Sequence, residues 1–307
     1  MRVNRHLLAI CALFIISLAV RFVPLLYSNL PFNIDGFPLV RISEDIIETG
    51  SWSLSYDDGT PENVLYNSKM PVLSLLISNF ALIFGKTPME VVQFVIPFLS
   101  SCAIVLIYLI TFRITKNGLV AFFAGLALAL NGFYVYLGAA IMKETLGLVL
   151  LLLGVYLYHG REDPRKRALA GMLLLILALT HHLTAWIAFV MISLLFLSSN
   201  VLHWHHGTFL NRRFIMDFLS GPFLFTFTVL YYEIVDLAFF NRVSNINDVA
   251  LFASVFMVGA IFCIIFSLPK KRRKPGRVLL NKTLLIPIVG GGLLVLNHYK
   301  RLFPGTI

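Results

Sequence analysis

Charge is the scarcest commodity in this chain. Only 13% of its 307 residues are Asp, Glu, Lys or Arg, against 58% hydrophobic. A water-soluble globular domain carries about a quarter of its residues charged, so that class is excluded at the outset. Cysteine is almost as rare. Cys11, Cys102 and Cys263 all fall inside apolar runs, which leaves no disulfide framework and no cysteine metal spacing. Acids are also few, 15 against 25 Lys and Arg. The resulting charge of +10 raises the question of a nucleic-acid partner, and the position of the basic residues answers it below.

What the sequence has in abundance is long apolar runs. Full-length examples occupy residues 7–26, 90–112, 118–138, 144–159, 214–235, 247–268 and 278–297. Runs of about 20 residues match roughly 30 Å of hydrocarbon, and only helices or closed barrels satisfy their own backbone there. An all-α polytopic membrane protein is therefore expected. The first run follows Arg2 and Arg5 but lacks a small-x-small cleavage site, and reads as an uncleaved span.

Two segments are ambiguous by length. Residues 71–84, "PVLSLLISNFALIF", are short for a span and suit a re-entrant or juxtamembrane helix; residues 167–202 exceed one span and fall short of two. Cytoplasmic loops hold an excess of Lys and Arg, and this decides both cases. With 71–84 kept on the outer side and a turn at Thr180–Thr184, the basic loops "FRITK", "REDPRKR", "NRR" and "KKRRKPGR" all share the inner face with the N-terminus. The expectation is about nine spans in a single transmembrane domain, 1–307, with the N-terminus cytoplasmic, the C-terminus external and a basic inner loop at 269–277. The basic runs then anchor topology and lipid headgroups, and no nucleic-acid partner is expected. His203, His205 and His206, with Trp204, read as an inner interfacial belt.

The outer face is where chemistry is expected. The external loop 27–70 carries Asp35, Glu44, Asp45 and Glu48, and Phe37, Val40, Ile42, Ile46 and Ile47 recur near helical spacing before Thr49 and Gly50. That pattern predicts an amphipathic helix lying on the outer surface, with Trp52 and Tyr56 at the interface. Asp35, just before it, is either a helix cap or a catalytic or metal-binding carboxylate. Oxygen ligands from Asp35, Glu44, Asp45 and Glu144 suit a divalent cation, Mg²⁺ or Mn²⁺. Singly, the helix acids also read as a solvated face. Lys143 and Glu144 stand at the mouth of a span, where a lysine can snorkel or pair with a phosphate. His181 and His182 at the outer turn can donate to a phosphate or move a proton. Arg21, late in the first span, is expected to seek a carboxylate or a phosphate.

These residues carry a family resemblance. "RFVPLLYSNLPFNIDGFPLVRISEDIIETGSW" resembles the first span and first external loop of the GT-C superfamily of membrane glycosyltransferases, above all archaeal oligosaccharyltransferase catalytic subunits and their protein-mannosyltransferase-like relatives. The shared pattern is an Arg late in the span (Arg21), an Asp soon after it (Asp35) and an amphipathic helix ending in "ETG". "NSKMPVLSLLISNFALIFGKTPMEVVQFVIPFL" and "YLGAAIMKETLGLVLLLLGVYLY" are similar to the family's following segments, and the likeness covers roughly residues 8–185. There is no second Asp two residues from Asp35 and no WWDYG-type motif, and no soluble C-terminal domain is expected.

The resemblance implies transfer of a sugar from a polyprenyl-phosphate-linked donor on the outer face of the cell membrane. Asp35 would be the catalytic base or hold the divalent ion, and Lys143, Arg21, His181 and His182 would meet the donor phosphate. The implied partners are the lipid-linked sugar, membrane lipid and a protein supplying acceptor recognition. The rival expectation is a non-catalytic subunit that binds or translocates a lipid-linked glycan.

Overall fold

The computed structural model describes residues 5–27, 33–34, 36–54, 60–159, 163–192, 227–228, 230–232 and 234–235. Among the described residues it is all-helical, without strands. The chain divides into two compact units; the first holds residues 1–188 and 226–236, and the second is described only at 189–192.

The helices are α1 (Arg5–Phe22), α2 (Gly36–Thr49), α3 (Glu62–Ser68), α4 (Val72–Phe84), α5 (Pro88–Thr115), α6 (Gly118–Ala129), α7 (Gly132–Ala139), α8 (Lys143–His159) and α9 (Pro164–Thr180). A further apolar helix, α10, runs His182–Ile192. By length and composition α1 and α5 can each cross a membrane. The count of candidate spans rises to four if the bent pairs α3–α4 and α6–α7 are one span each. Of the expected spans, 247–268 and 278–297 lie outside the described residues, as do the basic loop 269–277, the histidines at 203–206 and most of 214–235.

Local signals explain where helices start and stop. Thr87 and Glu90 form a reciprocal capping box at the head of α5, with Pro88 as its first helical residue, and Lys116 ends it in the left-handed region. Gly50 and Gly85, both at positive φ, close α2 and α4. The run 118–138, expected as one span, consists of α6 and α7 bent by 64°, a broken span or a re-entrant loop. The cause is a fresh start inside the apolar run: the Asn131 side chain accepts from Tyr134 N and caps α7, as Asn117 caps α6. α4 meets α3 at 86° across the turn Lys69–Met70–Pro71, the geometry of a broken span or a re-entrant loop.

The core forms around α5. Leu13 from α1, Ala103, Ile104 and Tyr108 from α5, Ala121 from α6, Tyr134 from α7 and Leu152 from α8 are buried together. A second cluster joins Ala81 of α4 to Val91 and Val95 of α5, with Ile47 of α2 against them. Serines let α2 and α4 approach closely. Ser74 Oγ donates to Leu39 O at 3.1 Å and Ser78 Oγ to Ser43 O at 3.1 Å, so backbone oxygens of α2 gain donors from α4. α2 is thus the expected amphipathic helix, with Leu39, Val40 and Ile42 buried and Arg41 pairing with Asp45 at 3.0 Å on the open side.

Candidate functional site

Arg21 lies in the core rather than at the surface. Its side chain is fully buried, with Nε donating to Ser100 Oγ at 2.6 Å. Nη1 donates to Ser17 Oγ at 2.8 Å and to the Ala129 carbonyl at 3.3 Å. The guanidinium also stands 4.8 Å from the Tyr134 ring centroid. These partners belong to α1, α5, α6 and α7, so Arg21 ties the α6–α7 bend to the two helices that can span. A Cβ at Gly138 would overlap Ser100 Oγ and Arg21 Nε, which is why this turn of α7 carries no side chain.

The α7–α8 connection is pinned in turn to the start of α2. Asn33 donates through Nδ2 to Ile141 O and accepts at Oδ1 from Ile141 N, both at 3.0 Å. Gly36 packs so closely that a Cβ there would stand 2.8 Å from Ile141 Cβ. Asp35 itself lies outside the described residues. Its described chain neighbours are thereby held beside the strand of chain that leads into Lys143.

Lys143 opens α8 and is buried, 6% exposed. Its ammonium stands 4.5 Å from the Tyr66 ring centroid and 3.6 Å from Met70 Sδ. Tyr66 Oη is 3.4 Å from His182 Nδ1, and the His182 ring meets Tyr232 edge-on. Tyr232 Oη donates to Ala178 O at 2.8 Å, and Tyr231 Oη donates to Lys69 O at 2.7 Å. Next in the chain, Glu144 places Oε1 3.2 Å from His181 Nε2. The other nitrogen of that ring, Nδ1, is 2.7 Å from Thr184 Oγ1. Gly147 faces the same threonine: a Cβ would lie 3.0 Å from Thr184 Oγ1.

Burial first, then the neighbouring His181 and Lys143, push the His182 imidazole down to about 4, with Glu144 pulling the other way. At neutral pH His182 therefore offers hydrogen bonds and no charge. Both nitrogens of His181 are taken up by Glu144 and Thr184.

The sequence-predicted residues separate into three groups. Lys143, Glu144, His181 and His182 come together, on α8 and at the junction of α9 and α10. Arg21 is held by other helices in its own buried cluster. Glu44 and Asp45 stay on α2, where Asp45 is engaged by Arg41. Among the described residues, no three His, Cys, Asp or Glu side chains gather as a metal site requires. The expected divalent-cation set of Asp35, Glu44, Asp45 and Glu144 is thus not assembled by its described members.

Tyr66, Met70, Thr184, Tyr231 and Tyr232 are site residues that the sequence alone did not mark. Only Thr184 had a visible signal, its place three residues after His181 in "HHLT". The tyrosines reach the site through tertiary packing, and an aromatic in an aromatic-rich chain gives no such notice.

No family model, curated protein or solved structure matches the chain. Among the described residues, fold and site define an all-helical chain with two to four helices or helix pairs long and apolar enough to cross a membrane, and buried polar groups gathered around Arg21 and around Lys143.

Proposed function

We propose that the protein is a membrane glycosyltransferase that moves a sugar from a polyprenyl-phosphate-linked donor to an acceptor on the outer face. One observation carries this reading: a lysine, a neutral histidine and a tyrosine hydroxyl from separate segments converge at Lys143, His182 and Tyr66. A cation with hydrogen-bond donors in a buried setting suits a lipid phosphate, whose charge is costly to bring there uncompensated. Arg21 contributes by holding α7, and with it the approach to Lys143, in place.

In the reaction Asp35 acts as general base. The acceptor hydroxyl gives its proton to the Asp35 carboxylate while its oxygen bonds to the anomeric carbon. The bond from that carbon to the phosphate oxygen breaks, and polyprenyl phosphate leaves with the electron pair, its charge met by Lys143. The pinning of Asn33 and Gly36 at Ile141 supports this role, because it ties the Asp35 segment to the one that presents Lys143. A protein partner supplying acceptor recognition belongs to the same reading. No step is assigned to a divalent ion.

The test is turnover of a labelled polyprenyl-phosphate sugar by purified protein, with Mn²⁺ or with EDTA, beside Asp35→Asn. Wild type is expected to transfer sugar and Asp35→Asn to lose on the order of 100-fold or more. Equal turnover by both would remove Asp35 as the base. The second reading is a non-catalytic subunit that binds a lipid-linked glycan through the same buried Lys143, His182 and Tyr66. Binding of donors from a panel with turnover of none would establish that alternative.

A further inference from the structure

We propose that Thr184 is a nucleophilic hydroxyl, readied by His181 and Glu144, that attacks a phosphoester of a membrane lipid. The order of groups carries the inference. Glu144 Oε1 lies 3.2 Å from His181 Nε2, and His181 Nδ1 lies 2.7 Å from Thr184 Oγ1. A carboxylate only accepts, so Nε2 holds the ring's proton. In the tautomer with that proton on Nε2, Nδ1 accepts from the Thr184 O–H. The hydroxyl proton is directed into a base whose far side is steadied by a carboxylate, the logic of hydrolytic triads with the ring used in the opposite sense.

A helix-capping role accounts for the contact of His181 with Thr184, three residues apart. It leaves unexplained the carboxylate of another helix on the ring's far nitrogen. Of the three groups only the carboxylate is open to solvent. The Glu144 side chain is 43% exposed and that of His181 6%, and Thr184 is buried. The hydroxyl is enclosed among the buried residues of α8 to α10. That excludes polymeric substrates and suits a lipid ester. α8 packs Gly147 closely on Thr184, where a Cβ would stand 3.0 Å from Oγ1. A phosphoester is favoured over an acyl ester by two features: Thr184 stands in the first turn of α10, whose amide end stabilises negative charge, and Lys143 adjoins Glu144.

In the first step Thr184 Oγ bonds to phosphorus and its proton passes to His181 Nδ1. The phosphorus–oxygen bond to the leaving alcohol breaks, and that oxygen takes the electron pair and the proton from His181. Water then attacks the phosphoryl group on Thr184, giving a proton to His181. The Oγ–phosphorus bond breaks and Oγ recovers a proton. The sum is phosphoester plus water to alcohol plus phosphate fragment.

A long-chain alkyl fluorophosphonate tests this on the whole protein, because a primed hydroxyl displaces its fluoride and keeps the phosphonyl group. Peptide mass mapping is expected to place the adduct on Thr184. Thr184→Val should abolish labelling, and Glu144→Gln and His181→Asn should each slow it about 100-fold. Gly147→Ala should slow it as well, by crowding Oγ. Thermal midpoints identify variants that fail to fold; Thr184→Val and Glu144→Gln are near-isosteric and preserve the test if His181→Asn does not. No adduct on Thr184, or one formed equally fast in Glu144→Gln, overturns the proposal. Labelling needs no sugar donor. Loss of sugar transfer with labelling intact would therefore remove only the glycosyltransferase reading.

Discussion

At the scale of single residues, Arg21 decides more than any other side chain. Among the described residues no carboxylate is a partner of its guanidinium; hydroxyls, carbonyls and a tyrosine face share the charge instead. A planar fork reaches these partners at once, and a lysine ammonium at the same site cannot. Arg21→Lys keeps the buried charge but loses several of its bonds. It is expected to cost on the order of 2–4 kcal/mol, read as a fall in thermal midpoint in detergent. The sequence showed that an arginine stood in an apolar run and needed company. It did not show the company, because Ser100 and Tyr134 look like ordinary helix residues until α5 and α7 are placed against α1. Lys143, Glu144 and the two histidines were legible for the opposite reason: polar groups in apolar sequence are costly and draw the eye.

At the scale of elements, the amphipathic pattern before Thr49 and Gly50 was sufficient to foresee α2, and the polar turn was sufficient to foresee the break between α9 and α10. The bend between α6 and α7 was missed. Hydropathy averaged over the run conceals one capping asparagine, and the cap is a hydrogen-bonding event that composition does not record. The contact between α2 and the α7–α8 connection was beyond reach for another reason, since it rests on a glycine meeting a β-branched residue far along the chain. Ile141 Cβ cannot swing aside. Gly36→Ala is therefore expected to part the two segments and weaken the Asn33–Ile141 bonds. Hydrogen exchange at the Ile141 amide should quicken about tenfold or more, with the core of α5 unaffected.

For the whole molecule, the arrangement of charge makes a claim about orientation. The basic segment before α9 is expected on the inner face, and Arg165 there is exposed. A cysteine placed at Arg165, with Cys11, Cys102 and Cys263 replaced by alanine, should react with an impermeant maleimide only after cells are opened. Labelling of intact cells would invert the topology and move the Lys143 cluster to the inner side. Charge parity reads orientation from loops and is indifferent to packing, which is why it speaks to sidedness and is silent on how Tyr66 or Tyr232 reaches the site.

The enclosure of Arg21 also has a bearing on synthesis. α1 is made before α5, α6 and α7, yet apart from Ser17 the groups that satisfy its guanidinium belong to those helices, which leave the ribosome some eighty residues and more later. As a span, a newly inserted α1 would meet lipid with an unsolvated cation, a burden of roughly 2.5–3.5 kcal/mol if it stayed at bilayer depth. Until those helices arrive, the side chain must reach out to the headgroup layer, and it withdraws as the later helices close around it. Assembly of this bundle thus includes a charge drawn inward, and a nascent chain halted before α5 should hold α1 nearer the membrane surface than the finished protein does.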